Sequence, residues 1–283
     1  MIRLAKSIFD FFIFTSLFIA VCAVAMAWQS CALFGQEPSV RLLAFIFCGT
    51  VTSYNFHWYL TPPREEGSLR LRWSVSNKTL HLGLFLAGAV ASVVCFFLVW
   101  EHWHWLALSV LLSFLYSAPK IPHPLFYWLR KIAVGKTIFL AFAWTHVTTV
   151  LPLVTAGDGQ LDTAAIIFAA NRFFFIYAIC ILFDYRDRAE DKTSGIRSLI
   201  IYLDERGIDR LFWGSVLVYV LTLGWLARSF ALTEVIALLI PGIILGLLYY
   251  PSKKNFSDYR YYFVLDGLMM LSAPLLVLSK FAR

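Results

Sequence analysis

Residues 164–183 read AAIIFAANRFFFIYAICILF and run without a break into Asp184-Tyr185-Arg186-Asp187-Arg188-Ala189-Glu190-Asp191-Lys192. About 20 mostly apolar residues is the length an α-helix needs to cross a bilayer. Working outward from this span, comparable stretches occupy 8–28, 40–60, 79–100, 103–118, 133–154, 211–227, 235–250 and 261–279. Together they predict an all-α, polytopic membrane protein with about nine transmembrane helices. The alternating pattern of a membrane barrel is absent, and a helix satisfies its own backbone in lipid. The segment 103–118 is the shortest, and it pairs with 79–100 as a tight hairpin around Glu101 and His102. No long polar segment is left over, so residues 1–283 are expected to form one integral membrane domain.

Composition agrees. Of 283 residues 60% are hydrophobic and 14% charged, with a mean hydropathy of +0.73. Soluble domains run nearer 45–50% apolar and about 25% charged, so this chain in water would expose large apolar patches. Aromatic residues make up 17%, and Trp and Tyr gather near span ends, where amphipathic rings favour the interface. Cys22, Cys31, Cys48, Cys95 and Cys180 include no Cys-x-x-Cys pair and read as small apolar fillers. At the N-terminus, Arg3 and Lys6 precede an apolar run, and Ala25-Met26-Ala27 has the small-residue form of a cleavage site. The run 8–28 is nevertheless long enough to span, and a retained first helix is expected.

Loop charge gives the direction. With the N-terminus in the cytoplasm, 19 of the 24 lysines and arginines fall in inside segments, as the positive-inside rule requires. The net charge of +7 is thus explained by topology, and its spread over five separate segments excludes a nucleic-acid-binding module. The expected location is a cytoplasmic (inner) membrane, with the N-terminus and the aspartate-rich loop in the cytoplasm. The long inside loops, 61–78, 119–132 and 184–210, concentrate the polar chemistry on that face.

Asp184, Asp187 and Asp191 are spaced i, i+3, i+7, which places them within roughly 60° of one another on a helix. Hard carboxylate oxygens at that spacing suit Mg2+, which usually takes one or two carboxylates plus substrate phosphates. The same residues also fit a solvated helix end, with Arg188 neutralising Asp184 and Asp191 at i+4 and i−3.

The stretch from Asp184 to Leu199, D-x-x-D-x-x-x-D-K-x-x-G-I-R-S-L, resembles the second aspartate-rich motif of UbiA-type intramembrane prenyltransferases. In that family the motif follows the sixth of nine helices, where it falls here. Leu115-Tyr116-Ser117-Ala118-Pro119-Lys120 resembles the family's Tyr-x-x-Pro stretch and the basic residue after it. The resemblance covers essentially the whole chain. It implies a bundle around a lipid-accessible central cavity and a prenyl diphosphate held through Mg2+. Residue by residue it implies Asp184, Asp187 and Asp191 as metal ligands, and Asn55, Lys120, Arg188 and Lys192 as diphosphate contacts. Tyr54, Tyr116 and Asp266 would line the cavity; Asp266 is also explained by pairing with Arg260 or a backbone amide near the interface.

The first aspartate-rich motif departs from the family. Tyr54 and Asn55 are present, but Phe56, Tyr59 and Pro63 stand at the three acidic positions. His57 lies nearby and is a poor Mg2+ ligand. Glu65 and Glu66 follow Pro62-Pro63 in a different local geometry, and Asn77-Lys78-Thr79-Leu80 loosely echoes the family's third-helix opening. His146 and the pair Asn171-Arg172 read as packing or snorkelling groups. His102 and His104 diverge on a helix at i, i+2.

The functional expectation is Mg2+-dependent transfer of a prenyl group from a prenyl diphosphate to an unassigned acceptor, aromatic acceptors included. The alternative is a catalytically degenerate UbiA-fold protein that binds a lipid or a membrane partner. A transporter fits less well, because the polar groups cluster at one face and no matched pair of broken spans stands out.

Overall fold

The computed structural model describes residues 2–63, 67–121, 123–124, 136–157, 159–193 and 198–281. Among them every regular element is helical. In chain order these are α1 (Ile2–Phe14), α2 (Leu17–Leu33), α3 (Val40–Tyr59), α4 (Leu69–Ser76), α5 (Lys78–Leu98), α6 (Trp103–Ser117), α7 (Lys136–Ala156), α8 (Thr163–Thr193), α9 (Leu199–Tyr202), α10 (Glu205–Leu226), α11 (Leu232–Lys254) and α12 (Asp266–Phe281). Glu101 and His102 lie in the 3-10 turn Trp100–His102 between α5 and α6, but the expected tight hairpin does not form, because both helices pack on α3 rather than closely on each other.

Six of these helices are long and apolar enough to cross a membrane, or seven if the bent pair α1–α2 is one span. Nine spans are therefore not established. Helix α6 has 15 residues, roughly 22 Å at 1.5 Å per residue, against a hydrocarbon core of about 30 Å. Helix α3 is long enough, but its second half carries Thr50, Thr52, Ser53, Asn55 and His57, which lower its hydropathy.

The expected first span 8–28 is instead broken at Thr15-Ser16, with a bend of 59°. Ser16 takes φ 65°, the left-handed region, and is the only non-glycine residue described to do so. That conformation costs about 1–2 kcal/mol for an L-residue, and three contacts hold it. Thr15 Oγ1 donates to the Phe11 carbonyl at 2.6 Å. Asn55 Nδ2 donates to the Thr15 carbonyl at 2.9 Å, and Arg70 Nη2 donates to Ser16 Oγ at 3.0 Å.

The helices pack as a ring. Helix α2 packs on α3, α3 on α5 and α6, and α6 on α7; α7 packs on α8, α8 on α10 and α10 on α11. Helix α11 then packs on α12, which closes the circle against α2. Helices α7 and α8 are mostly buried, whereas only 11% of the α5 span is covered by protein. The α5 surface, with Leu86, Val90, Val93, Val94 and Phe97 exposed, is lipid-facing. Close packing is visible at Gly88 of α5, where a Cβ would lie 2.7 Å from Thr52 Oγ1. Small residues permit such approaches where lipid supplies no hydrophobic drive.

Candidate functional site

Helix α8 has 31 residues, roughly 46 Å in length. It outlasts its apolar part and carries Asp184, Asp187 and Asp191 on the same continuous helix. Their sequence spacing therefore becomes real geometry. Asp184 and Asp191, 5% and 3% exposed, converge on one ammonium. Lys136 Nζ, at the start of α7, is 3.8 Å from Asp184 Oδ1 and 3.4 Å from Asp191 Oδ2. Thr137 Oγ1, one residue on, donates to Asp184 Oδ2. Asp187 turns aside to Arg186, whose Nε lies 2.8 Å from Asp187 Oδ1.

The opposite wall is the last turn of α3 with its neighbours. Lys120 Nζ donates to His57 Nε2 at 2.6 Å and to Thr61 Oγ1 at 2.7 Å. The His57 ring stacks on Tyr116 with centroids 5.0 Å apart. Arg70, from α4, is 2% exposed and lies 4.5 Å over the Trp58 ring and 4.0 Å over the Tyr262 ring. Burial pulls its guanidinium below the ordinary value, while Tyr262 and Asp266 act to keep it charged. Arg186 Nη2 donates to Tyr262 Oη at 2.9 Å. The π turn Arg260–Leu265 opens the α12 segment, and such one-turn bulges re-aim side chains. Here it presents Tyr261 and Tyr262 to Arg186, and Asp266 follows it, buried at 8% exposure.

The two walls face each other. His57 lies within electrostatic reach of Lys120, Lys136 and Arg70. Tyr116 lies within reach of Lys136, Asp184 and Asp187. Asp266 feels both Arg70 and Arg186, and Tyr54 feels Tyr116 and Asp266. Beside them, Tyr54 Oη accepts from Trp144 Nε1 at 3.1 Å.

Among the described residues, three buried N–H groups at this end have no acceptor: Arg70 Nε, Arg186 Nη1 and His57 Nδ1. His57 Nε2 takes the ammonium of Lys120, so its Nδ1 carries the proton. Buried donors are normally satisfied, and each orphan asks for a ligand, an ion or a water. Three donors on cationic or imidazole groups, gathered around one end of the bundle, fit an anion rich in acceptor oxygens.

The other expected site residues lie as follows. Asn55 is fully buried; besides Thr15 it donates to the Val51 carbonyl at 2.8 Å, and its Oδ1 accepts from His81 Nδ1 at 2.7 Å. Arg188 points away from the aspartates, to Glu205 Oε1 at 3.1 Å and the Leu203 carbonyl at 3.0 Å. Lys192 is exposed. Glu65, Glu66 and the Gly195-Ile196-Arg197 part of the motif lie outside the described residues. His146 Nε2 contacts Ser109 Oγ at 3.0 Å and Arg172 Nη2 donates to Gln29 Oε1 at 2.9 Å, both as packing groups between helices.

Sequence reasoning missed Lys136, Arg70 and Arg186 as members of the site, having counted them only as inside charges. The signal for Lys136 was its place at the head of the span antiparallel to α8, level with Asp184. Among the described residues no three His, Cys, Asp or Glu side chains form a ready ion cage. The donor set nevertheless fits one hard divalent ion, because Asp184 and Asp191 already share a single cation position.

A bundle of apolar helices with aspartates, a lysine and arginines gathered at one end defines a class: a helical intramembrane protein with a buried charged site at one end of the bundle. The sequence model of the UbiA prenyltransferase family matches residues 70–261, most of the chain, and the chain belongs to that family. Two solved structures share its fold. An apo UbiA homolog from Aeropyrum pernix K1 is 12% identical at a TM-score of 0.66, over 92% of this chain and 98% of that one. A UbiA homolog from Archaeoglobus fulgidus bound to Cd2+ is 13% identical at 0.53, over 93% and 99%. No curated protein sequence matches the chain.

Proposed function

We propose that this chain transfers the prenyl group of a prenyl diphosphate to an acceptor within the membrane, with Mg2+ at Asp184 and Asp191. The observation that carries this reading is the set of three acceptorless buried donors, Arg70 Nε, Arg186 Nη1 and His57 Nδ1, at the same end of the bundle as a carboxylate pair that converges on one cation position. The Cd2+ reported for the Archaeoglobus homolog supports a divalent ion in this fold. The loop charges support an orientation with this end in the cytoplasm.

Bound Mg2+ would neutralise charge on the diphosphate as the allylic C–O bond ionises. Lys120, Arg70 and Arg186 hold the leaving diphosphate by charge-assisted hydrogen bonds that strengthen as its charge grows. His57 fixes the Lys120 ammonium and offers its own Nδ1–H to a phosphate oxygen. The aromatic rings of Trp58, Tyr54, Tyr116 and Tyr262 exclude water beside the cation. Asp266 adds a buried carboxylate within electrostatic reach of Arg70 and Arg186, able to favour a nearby positive carbon or to take a proton from an acceptor. Asp187, tied to Arg186, orients that guanidinium.

The test is direct. Purified protein with Mg2+, supplied with prenyl diphosphates of several lengths and with phenolic and lipid acceptors, should release diphosphate and form a prenylated product. Absence of both across the panel, while a lipid or partner still binds, would favour the degenerate reading.

A further inference from the structure

We propose that Arg70 and Lys120 do at this site what a second divalent ion would do, so that the loaded site holds one divalent ion per chain. This rests on the reading of the site as a prenyl diphosphate site. Residues 40–63 contain no Asp or Glu, and the last turn of α3 presents Phe56, His57 and Tyr59 instead. That turn itself offers a hard cation no carboxylate; among the described residues the acids beside Arg70 are Asp258 and Asp266, which come from the start of the last helical segment.

Positive charge is already in place on that wall. Lys120 Nζ is bonded to His57 Nε2 at 2.6 Å and to Thr61 Oγ1 at 2.7 Å, both within the segment that lost its acids. Arg70 lies 4.5 Å over Trp58 in the same segment, and Lys120 Nζ lies 6.0 Å from that ring. Two fixed cations flanking one indole repel a divalent ion and attract a diphosphate. Arg70 is also pinned by its neighbours. Its backbone N–H donates to Asp258 Oδ2 at 2.8 Å and its Nη2 to Ser16 Oγ at 3.0 Å, yet its Nε is left without an acceptor. That arrangement holds a guanidinium still while keeping a donor for a ligand. The second wall is different: Asp184 and Asp191 converge on one cation position, which suits one ion.

The experiment titrates Mn2+ into the full chain in detergent with a non-hydrolysable prenyl thiodiphosphate, reading bound metal by electron paramagnetic resonance. The expected result is one Mn2+ per chain with no Mn–Mn dipolar coupling. Lys120→Met and Arg70→Gln should each weaken the thiodiphosphate by about tenfold to a hundredfold, the worth of one charge-assisted contact, without changing that stoichiometry. Arg70→Lys keeps the charge and should bind the thiodiphosphate more tightly than Arg70→Gln; if Arg70→Gln fails to fold, Lys120→Met carries the test. Two coupled Mn2+ per chain would overturn the inference while leaving the diphosphate reading intact, the more so if Glu65→Gln with Glu66→Gln returns the count to one. Unchanged binding in Lys120→Met, or in a folded Arg70→Gln, would also overturn it. No thiodiphosphate binding under any condition would remove the diphosphate reading itself.

Discussion

Replacing Lys136 by Met removes the cation that Asp184 and Asp191 share and leaves a side chain of similar length. At 3.8 and 3.4 Å and an effective dielectric of about 20, the two attractions are about 4 and 5 kcal/mol before desolvation. Desolvation offsets part of this, and breaking a buried pair by deleting one partner usually costs about 3–5 kcal/mol. Lys136 is 27% exposed at its side chain, so the lower end of that range, about 3 kcal/mol, is expected. For a chain of this size that lowers an apparent unfolding midpoint by roughly 6–12 °C. The loss should be conditional. In EDTA the variant melts well below wild type, and saturating Mg2+ restores most of the difference, because the ion takes the position the ammonium vacated. Metal affinity without diphosphate should also rise, since no lysine competes. The assay is thermal unfolding in detergent followed by tryptophan fluorescence, with and without Mg2+. Equal midpoints for variant and wild type in EDTA, or a deficit that Mg2+ does not touch, would refute the idea that Lys136 holds the metal position.

Other substitutions test separate joints of the fold. Ser16→Gly relieves the left-handed strain but loses the hydroxyl that meets Arg70, so its midpoint should stay near wild type. Ser16→Ala keeps the strain and loses the bond, and should cost about 1 kcal/mol. Gly88→Ala pushes a methyl to 2.7 Å from Thr52 Oγ1 and should destabilise by about 1–3 kcal/mol; Thr52→Ala in the same chain should recover part of that, measured as non-additivity. Asn55→Ala breaks contacts to Thr15, Val51 and His81 together, so folded yield in detergent should fall more than thiodiphosphate affinity does in the protein that remains.

The helical spans were legible because lipid solvent demands long apolar runs, and the acidic cluster was legible because i, i+3, i+7 spacing survives on any helix. The break at Ser16 was not: neither Gly nor Pro marks it, and the apolar pattern runs through it. What bends the chain there is Asn55 from α3 and Arg70 from α4, contacts distant in sequence. Lys136 was legible as a neighbour of Asp184 from the antiparallel succession of α7 and α8, whereas Arg70 and Arg186 were visible as charges but not as partners, since only tertiary packing brings α4 and α8 to Tyr262 of the π turn. The loss of acids after Asn55 could be read directly. Lys120 could be read as a diphosphate contact, but not its place beside His57 and Thr61, which it reaches from the turn after α6.

Anomalous scattering from Mn2+ in crystals grown with a prenyl thiodiphosphate addresses the central claim most directly. A single Mn2+ peak at Asp184 and Asp191, with the diphosphate against Lys120, Arg70 and Arg186 and the prenyl chain inside the ring, is the predicted result. A diphosphate bound elsewhere on the protein, or metal at any other residues, would contradict the account.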